Sequence, residues 1–505
     1  MMHPGLPDSA VYAVLAMVVL ISLWGLYNRT VTYRPRFISF DSFPFIGHYL
    51  HRMVTTPWFL LFVRMVFVAI FLLVIISGLL GSPFPERNLA TTLTWTLWWT
   101  GLIIVTYFLG SVWCAVCPWD TLATWLVRLH LWQRGSRLSS LNLRVPKAIR
   151  NVWLASWMFI ILTWLELGFG MTVSPYATAV LSLVVVVLAL LSQVVYERKA
   201  FCRYFCSVGR TIGFYASLSP VALRPVDQTI CARCKTLECF KGNETIEPCP
   251  THMVLGRSKQ NTFCTSCGAC SQSCPYQNIN WALRRSGEEA IYHVRPSWDE
   301  SWFILILVTL TSFHGMTMLP GWYDWLAMWR VGEGPLLWGF TASMLFSILL
   351  PIAVFAVVVK WLQWLLRQQE LEFKRLFALL GMPFLPLAFA YHLAHNLNHL
   401  ARESRGLSAV FMNPLGLNTQ AMSMAEIHER HLSPLLSQEL LSVLQAGLMI
   451  MGFWFAVRIL QQRLDTLPLA QGSTRITVNM SMLVLIASVT LFNLWLLMQP
   501  MVMRM

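Results

Sequence analysis

Twelve cysteines are the residues of this 505-residue chain best suited to chemistry, and all of them lie between Cys114 and Cys274. Thiolates are soft ligands that select copper, zinc or iron–sulfur clusters, so their spacing has to decide. Residues 264–275 read Cys264-Thr-Ser-Cys267-Gly-Ala-Cys270-Ser-Gln-Ser-Cys274-Pro275. Three thiolates in so tight a turn grip one face of an iron–sulfur cubane, and the fourth is carried away to a neighbouring cluster. Upstream stand Cys231, Cys234 and Cys239, then Cys249-Pro250. The halves complete one another. Cys249, Cys264, Cys267 and Cys270 are expected to hold one [4Fe–4S] cluster, and Cys231, Cys234, Cys239 and Cys274 another. Pro250 and Pro275 lack an N–H and turn the chain off the cluster. Structural zinc takes four ligands, usually as two separated pairs, and disulfides do not persist in a reducing cytoplasm. Neither accounts for a triplet with a remote Cys-Pro, twice. The first triplet departs from the usual spacing, with four residues instead of two before its third thiol.

The run around Cys264 has the spacing of a bacterial two-cluster ferredoxin. Four further thiols lie before it, as Cys114-Ala-Val-Cys117-Pro118 and Cys202-Arg-Tyr-Phe-Cys206. Each pair follows an apolar stretch, which puts both at one depth on one side of a membrane. They suit a third cluster, copper or another soft metal, or a redox-active dithiol pair, against the plain alternative of inert buried thiols. Arg198, Lys199, Arg203 and Arg210 flank the second pair and are expected to lower its thiol pKa values.

Histidines form the other donor set. Tyr391-His392-Leu-Ala-His395-Asn-Leu-Asn-His399 places three imidazoles on one helical face, and His314 lies at a similar depth in another apolar stretch. Imidazoles from two helices suit a b-type haem or copper; the alternatives are helix-packing histidines or the wall of a quinone site. His428 and His431 follow in a polar loop. Electron transfer across the membrane would need such a centre, because every cysteine falls on one side of a hydrocarbon layer ~30 Å thick. His48, His51 and His130 on the cysteine side suit quinone chemistry or headgroup contact, Glu166 a proton acceptor or an interfacial carboxylate. Arg64 is expected to snorkel to the surface, and the 23 tryptophans to form interfacial belts.

The elements that must position these groups are membrane helices. The chain is 56% hydrophobic and 12% charged, about half the charge of a soluble protein, with a mean hydropathy of +0.58. Soluble, disordered and small disulfide-rich classes are excluded. Ten stretches are long enough to span a bilayer: 10–27, 57–80, 91–112, 152–170, 175–196, 302–319, 335–359, 376–400, 437–460 and 478–498. The expected organisation is a five-helix block (1–196), a cysteine-rich insert (197–300) and a second five-helix block (301–505). The first span reads as an uncleaved helix, since nothing basic precedes it and no small-residue cleavage pattern follows. Thirty of the 37 Lys and Arg fall in the loops on the insert's side and six on the other, with Arg64 inside a span. That asymmetry predicts a cytoplasmic insert and periplasmic termini in a bacterial inner membrane. It also accounts for the net charge of +14 as a topology signal, so no nucleic acid is expected as a partner. The halves share no motif, and no nucleotide fingerprint, Walker loop, flavin-attachment motif or hydrolase triad is present.

Residues 57–290 resemble the membrane polyferredoxins. The family includes the ferredoxin-type membrane subunit of periplasmic nitrate reductase, the methylamine-utilisation ferredoxin, the C-terminal part of the nitrous-oxide respiration regulator, and the cupric reductase of cytochrome oxidase maturation. The likeness rests on Cys114/Cys117-Pro118 at an inner helix end, the Cys202/Cys206 pair, and the two-cluster domain. The family usually carries C-x3-C-P twice; here the first pair is C-x2-C-P and the second is followed by Ser207. The resemblance implies electron transfer between the quinone pool or a cytoplasmic donor, the clusters, and a periplasmic redox protein. A copper reductase or respiratory-enzyme maturation factor, and a redox-sensing membrane regulator, are the alternatives.

Overall fold

The computed structural model describes residues 2–28, 37–44, 47, 49, 52–53, 56–129, 140–328, 337–366, 371–432, 434–467 and 473–502. His48, His51 and His130 lie outside the described residues, as does the side chain of His431. Helices stand at all ten apolar stretches: α1 (Asp8–Tyr27), α2 (Pro57–Leu80), α3 (Leu89–Leu109), α4 (Trp153–Leu167), α5 (Pro175–Val195), α6 (Trp298–Met316), α7 (Leu337–Leu365), α8 (Phe384–Glu403), α9 (Gln438–Thr466) and α10 (Ser473–Met498). Eight are long and apolar enough to cross a membrane, α8 being counted with the short helix Phe373–Gly381 that leads into it. The chain therefore has the make-up of a multi-pass membrane protein. The other two fall short for clear reasons: α4 has 15 residues, and α6 starts with Asp299 and Glu300 in its first turn.

Local chemistry sets the helix ends. Asn88 accepts from the Ala90 N–H at the start of α3, and Ser174 from the Ala177 N–H at the start of α5, where Pro175 takes the first helical position. Ser297 and Glu300 form a capping box on α6. Gly110 ends α3 with φ +65°, a conformation open mainly to glycine.

The core is built around α8. The segment from Phe373 to Glu403 is 94% buried across its most apolar stretch, against 22–50% for the other long helices. Two glycines let its neighbours close on it. A Cβ at Gly452 of α9 would lie 2.5 Å from the Ala390 Cβ, and one at Gly315 of α6 would meet the Tyr391 hydroxyl. The extreme ends of the chain meet as well: β1 (Met2–His3) pairs antiparallel with β5 (Met501–Val502).

The cysteine-rich insert carries a small antiparallel sheet. β3 (Val221–Pro225) runs against β4 (Ile279–Leu283), with Val221 opposite Leu283 and Pro225 opposite Ile279, and β2 (Ile38–Ser39) adds to the free edge of β4. Below it, Glu289 is 1% exposed and holds Arg224 (3.0 Å) and Arg284. Burial alone would raise its carboxyl, yet Arg284 and Arg224 keep it below the usual carboxylate range. Glu289 also accepts the Asn261 N–H, and the Asn261 carbonyl in turn accepts from Cys264 N at 2.7 Å. A buried ion cluster thus anchors the first turn of the Cys264 loop.

Candidate functional site

The fold gathers the twelve thiols into three groups of four. Cys231, Cys234, Cys239 and Cys274 lie within electrostatic reach of one another and line one cavity. Cys249, Cys264, Cys267 and Cys270 form the second group, and Cys270 also feels Cys239, so the two groups adjoin. Cys114, Cys117, Cys202 and Cys206 form the third.

The two groups in the insert share one backbone design, which no sequence repeat revealed. In each Cys-Pro segment the third residue after the cysteine is left-handed, His252 at φ +55° and Gln277 at +48°. The following N–H then donates back to the sulfur: Met253 N to Cys249 Sγ at 3.3 Å, Asn278 N to Cys274 Sγ at 3.5 Å. In each triplet the residue two before the third thiol is left-handed and caps a short helix, Gly268 at +75° and Leu237 at +53°. The four-residue gap before Cys239 therefore lengthens the loop and keeps the turn that aims the third thiol. For a leucine this conformation is costly, and such strain persists where the surroundings dictate it.

Both groups carry donors that a sulfur-ligated cluster would use. Ser266 N donates to Cys264 Sγ (3.3 Å) and Asn278 Nδ2 to Cys231 Sγ (3.2 Å), the kind of donor that tunes cluster sulfurs. A Cβ at Gly256 would sit 2.6 Å from Cys231 Sγ, so the backbone there is pressed against the thiol. Burial raises Cys264 to about 12, with Cys267 and Cys249 adding to the shift. Loading such thiols with metal expels their protons.

The third group lies where the chain folds back after Gly110. The short helices Val112–Val116 and Pro118–Arg128 return toward the middle of α2: Trp113 stacks edge-on with Phe67 (5.4 Å) and Trp119 with Phe71 (6.5 Å). Arg64 does not snorkel; its Nε donates to the Ala115 carbonyl at 2.8 Å and pins this turn. Trp98 contacts Trp113, Trp119 and Trp99 at 5.4–5.7 Å, so these four indoles gather beside the thiols instead of forming an interfacial belt. The indole N–H groups of Trp98, Trp113 and Trp119 are buried without a hydrogen-bond partner among the described residues. Buried donors beside a group of thiols suit an anionic, sulfur-rich ligand. The flanking cations do not lower these thiol pKa values on balance. Burial outweighs them and pushes Cys202 and Cys206 up, and Cys117 to about 12. Lys199 is instead paired with the buried Asp120, which also receives Gln193 Nε2 (3.0 Å) and Cys202 Sγ (3.5 Å). Asp120, in the first helical turn after Cys117-Pro118, was not singled out from sequence.

The second and third groups are joined through basic residues. Arg198 Nη1 donates to the Cys249 carbonyl (2.9 Å), Lys199 N to the Pro250 carbonyl (3.2 Å), and Arg203 to the Thr251 carbonyl. Arg203 and Arg210 lie 5.3 and 4.2 Å from the Phe263 ring, next to Cys264.

The histidines divide. His314, His395 and His399 converge, each with a ligating atom within 4.8 Å of the others. His392 does not join them: its Nδ1 hydrogen-bonds the Tyr215 hydroxyl at 3.1 Å, and its ring lies 5.5 Å from Trp99. His428 is exposed and apart from the three. Glu166 lines a cavity of about 150 Å³ with His314 and His399.

No family model matches the chain, and no solved structure matches it. Among curated proteins, an uncharacterized protein of Methanocaldococcus jannaschii is 25% identical over 241 residues, covering 47% of this chain and 90% of that protein.

Proposed function

We propose that this chain is an inner-membrane iron–sulfur electron-transfer protein of the polyferredoxin type. It has ten spans, periplasmic termini and a cytoplasmic two-cluster ferredoxin domain, and connects the quinone pool or a cytoplasmic donor to a periplasmic redox protein. The observation that carries this reading is the grouping of the thiols of the insert into two sets of four, Cys231, Cys234, Cys239 and Cys274, and Cys249, Cys264, Cys267 and Cys270. [4Fe–4S] clusters bound there would supply one-electron centres.

The chain's own residues support a relay. Asn278, Met253 and Ser266 donate to cysteine sulfurs, so the potentials would be set by this protein's hydrogen bonds. Arg198, Lys199 and Arg203 hold the Cys249 segment against the Cys202 turn, keeping the second and third groups neighbours. Trp113, Trp98, Trp99 and His392 follow one another at ring separations of 5.4–5.7 Å, leading from the third group into the helix that bears His395. β1–β5 pairing sets Met2–His3 beside Met501–Val502, so the segments at either end of the ten helices lie on the same side, in accord with an even number of spans between them.

The test is redox turnover. Anaerobic full-length protein in detergent should be reduced by a quinol analogue, or after dithionite reduction reoxidised by the quinone, with a change in visible absorbance. Cys202→Ala should slow that exchange while leaving dithionite reduction of the insert intact. A chromophore indifferent to quinol and quinone alike would overturn the link to the quinone pool.

A further inference from the structure

Three imidazoles from two helices meet at one point in the half of the molecule without cysteines. The ring centroids of His314 and His395 are 4.9 Å apart, those of His395 and His399 5.1 Å, and those of His314 and His399 6.3 Å. His399 Nδ1 is held by Glu403 Oε1 at 2.8 Å, and the other carboxylate oxygen accepts from Thr96 Oγ1 at 2.7 Å. That arrangement fixes the ring and leaves Nε2 as the ligating nitrogen. A carboxylate on the far nitrogen is what orients and strengthens a metal-bound histidine. Two of the three rings, His314 and His399, wall the cavity of about 150 Å³.

We infer that His314, His395 and His399 bind a single first-row transition-metal ion, with the cavity giving access to its fourth coordination position. An all-imidazole set suits zinc, copper, iron or nickel, and three protein ligands with an open position are the mark of a reactive site rather than a structural one. The convergence on one point favours an ion over a haem. The adjoining space is also below the ~300–1,000 Å³ of pockets for drug-sized ligands, and a porphyrin is at least that large. Glu403 acts through His399 and is a positioning residue. The inference rests on imidazole geometry alone, so it stands or falls separately from the cluster reading.

The test uses full-length protein, purified anaerobically, treated with a chelator and titrated with Co(II). One Co(II) per chain should bind with the visible d–d bands of tetrahedral nitrogen ligation. His395→Ala and His399→Ala should abolish those bands, and Glu403→Gln should weaken binding by about 10–100-fold, the usual cost of losing such a partner. The exposed His428→Ala should leave them unchanged. Iron and sulfide contents equal to wild type would show that each variant is folded; a preparation without iron that still binds Co(II) in this way would sink the cluster reading and keep this one. Wild-type protein showing only thiolate-to-cobalt charge-transfer bands, or bands that survive loss of His395 and His399, would overturn it. So would a Soret band that those two substitutions remove, since that would put a porphyrin on the same histidines.

Discussion

At one end of this molecule Cys264, Cys267 and Cys270 come from seven consecutive residues; at the other, His314 and His395 come from separate helices, α6 and α8. The thiols are aimed by backbone conformation: left-handed residues at Leu237, His252, Gly268 and Gln277, with N–H groups returned to the sulfurs. The imidazoles are aimed by helix packing, with Gly315 and Gly452 letting the helices close around α8. A loop-built site can be made or lost locally. A packing-built site depends on the whole bundle: only the His399–Glu403 contact, one turn along α8, is local, and Thr96, which donates to the other oxygen of Glu403, comes from α3.

The contrast can be broken by crossing perturbations. The largest effect is expected from Cys270→Ala, which should remove about four iron atoms per chain, the content of one cubane, and leave Co(II) binding at the histidines intact. Loss of both would mean that the two ends are not separable. Next, Glu289→Gln leaves Arg224 and Arg284 buried with a neutral partner and should destabilise the insert by about 3–5 kcal/mol, read as the denaturant midpoint for loss of visible absorbance. The same carboxylate predicts a pH dependence. Its folded pKa is depressed, so its contribution is complete above the unfolded value near 4.3 and is lost as pH falls through the folded value. In the Gln variant that acid limb should flatten. Gly256→Ala should cost about 1–3 kcal/mol by overpacking against Cys231, and should shift the midpoint potential of the Cys231 group more than that of the Cys264 group. The smallest change is expected from Asn278→Ala, which removes a donor to Cys231 Sγ and should lower one midpoint potential without changing the iron content.

What could be read from the sequence follows the same division. The triplet spacing was legible because three thiols of each group lie within nine residues of one another, whereas each fourth thiol, Cys249 or Cys274, comes from farther off in the chain. The apolar stretches located all ten helices because length and hydropathy are local properties. The four-residue gap before Cys239 looked like a departure until Leu237 proved to repeat the turn at Gly268. The histidine face was legible, its partition was not. His392 and His399 share a face but stand about 10 Å apart along the helix, at 1.5 Å per residue, too far to ligate one ion. Nothing local signals that Gly110 turns the chain back among tryptophans, or that Asp120 takes up Lys199. Burial, a property of the assembled helices, likewise overrides the nearby cations in setting the pKa of Cys202 and Cys206.

The central claim is that the thiols hold iron in clusters, and the most direct measurement is the iron and acid-labile sulfide content of anaerobically purified protein together with its EPR spectrum after reduction. The account predicts about eight iron and eight sulfide per chain from the two groups of the insert, at four of each per cubane, with interacting signals from these adjoining groups, and about twelve of each where the third group also holds a cubane. A colourless preparation, free of inorganic sulfide or carrying zinc in place of iron, would contradict it.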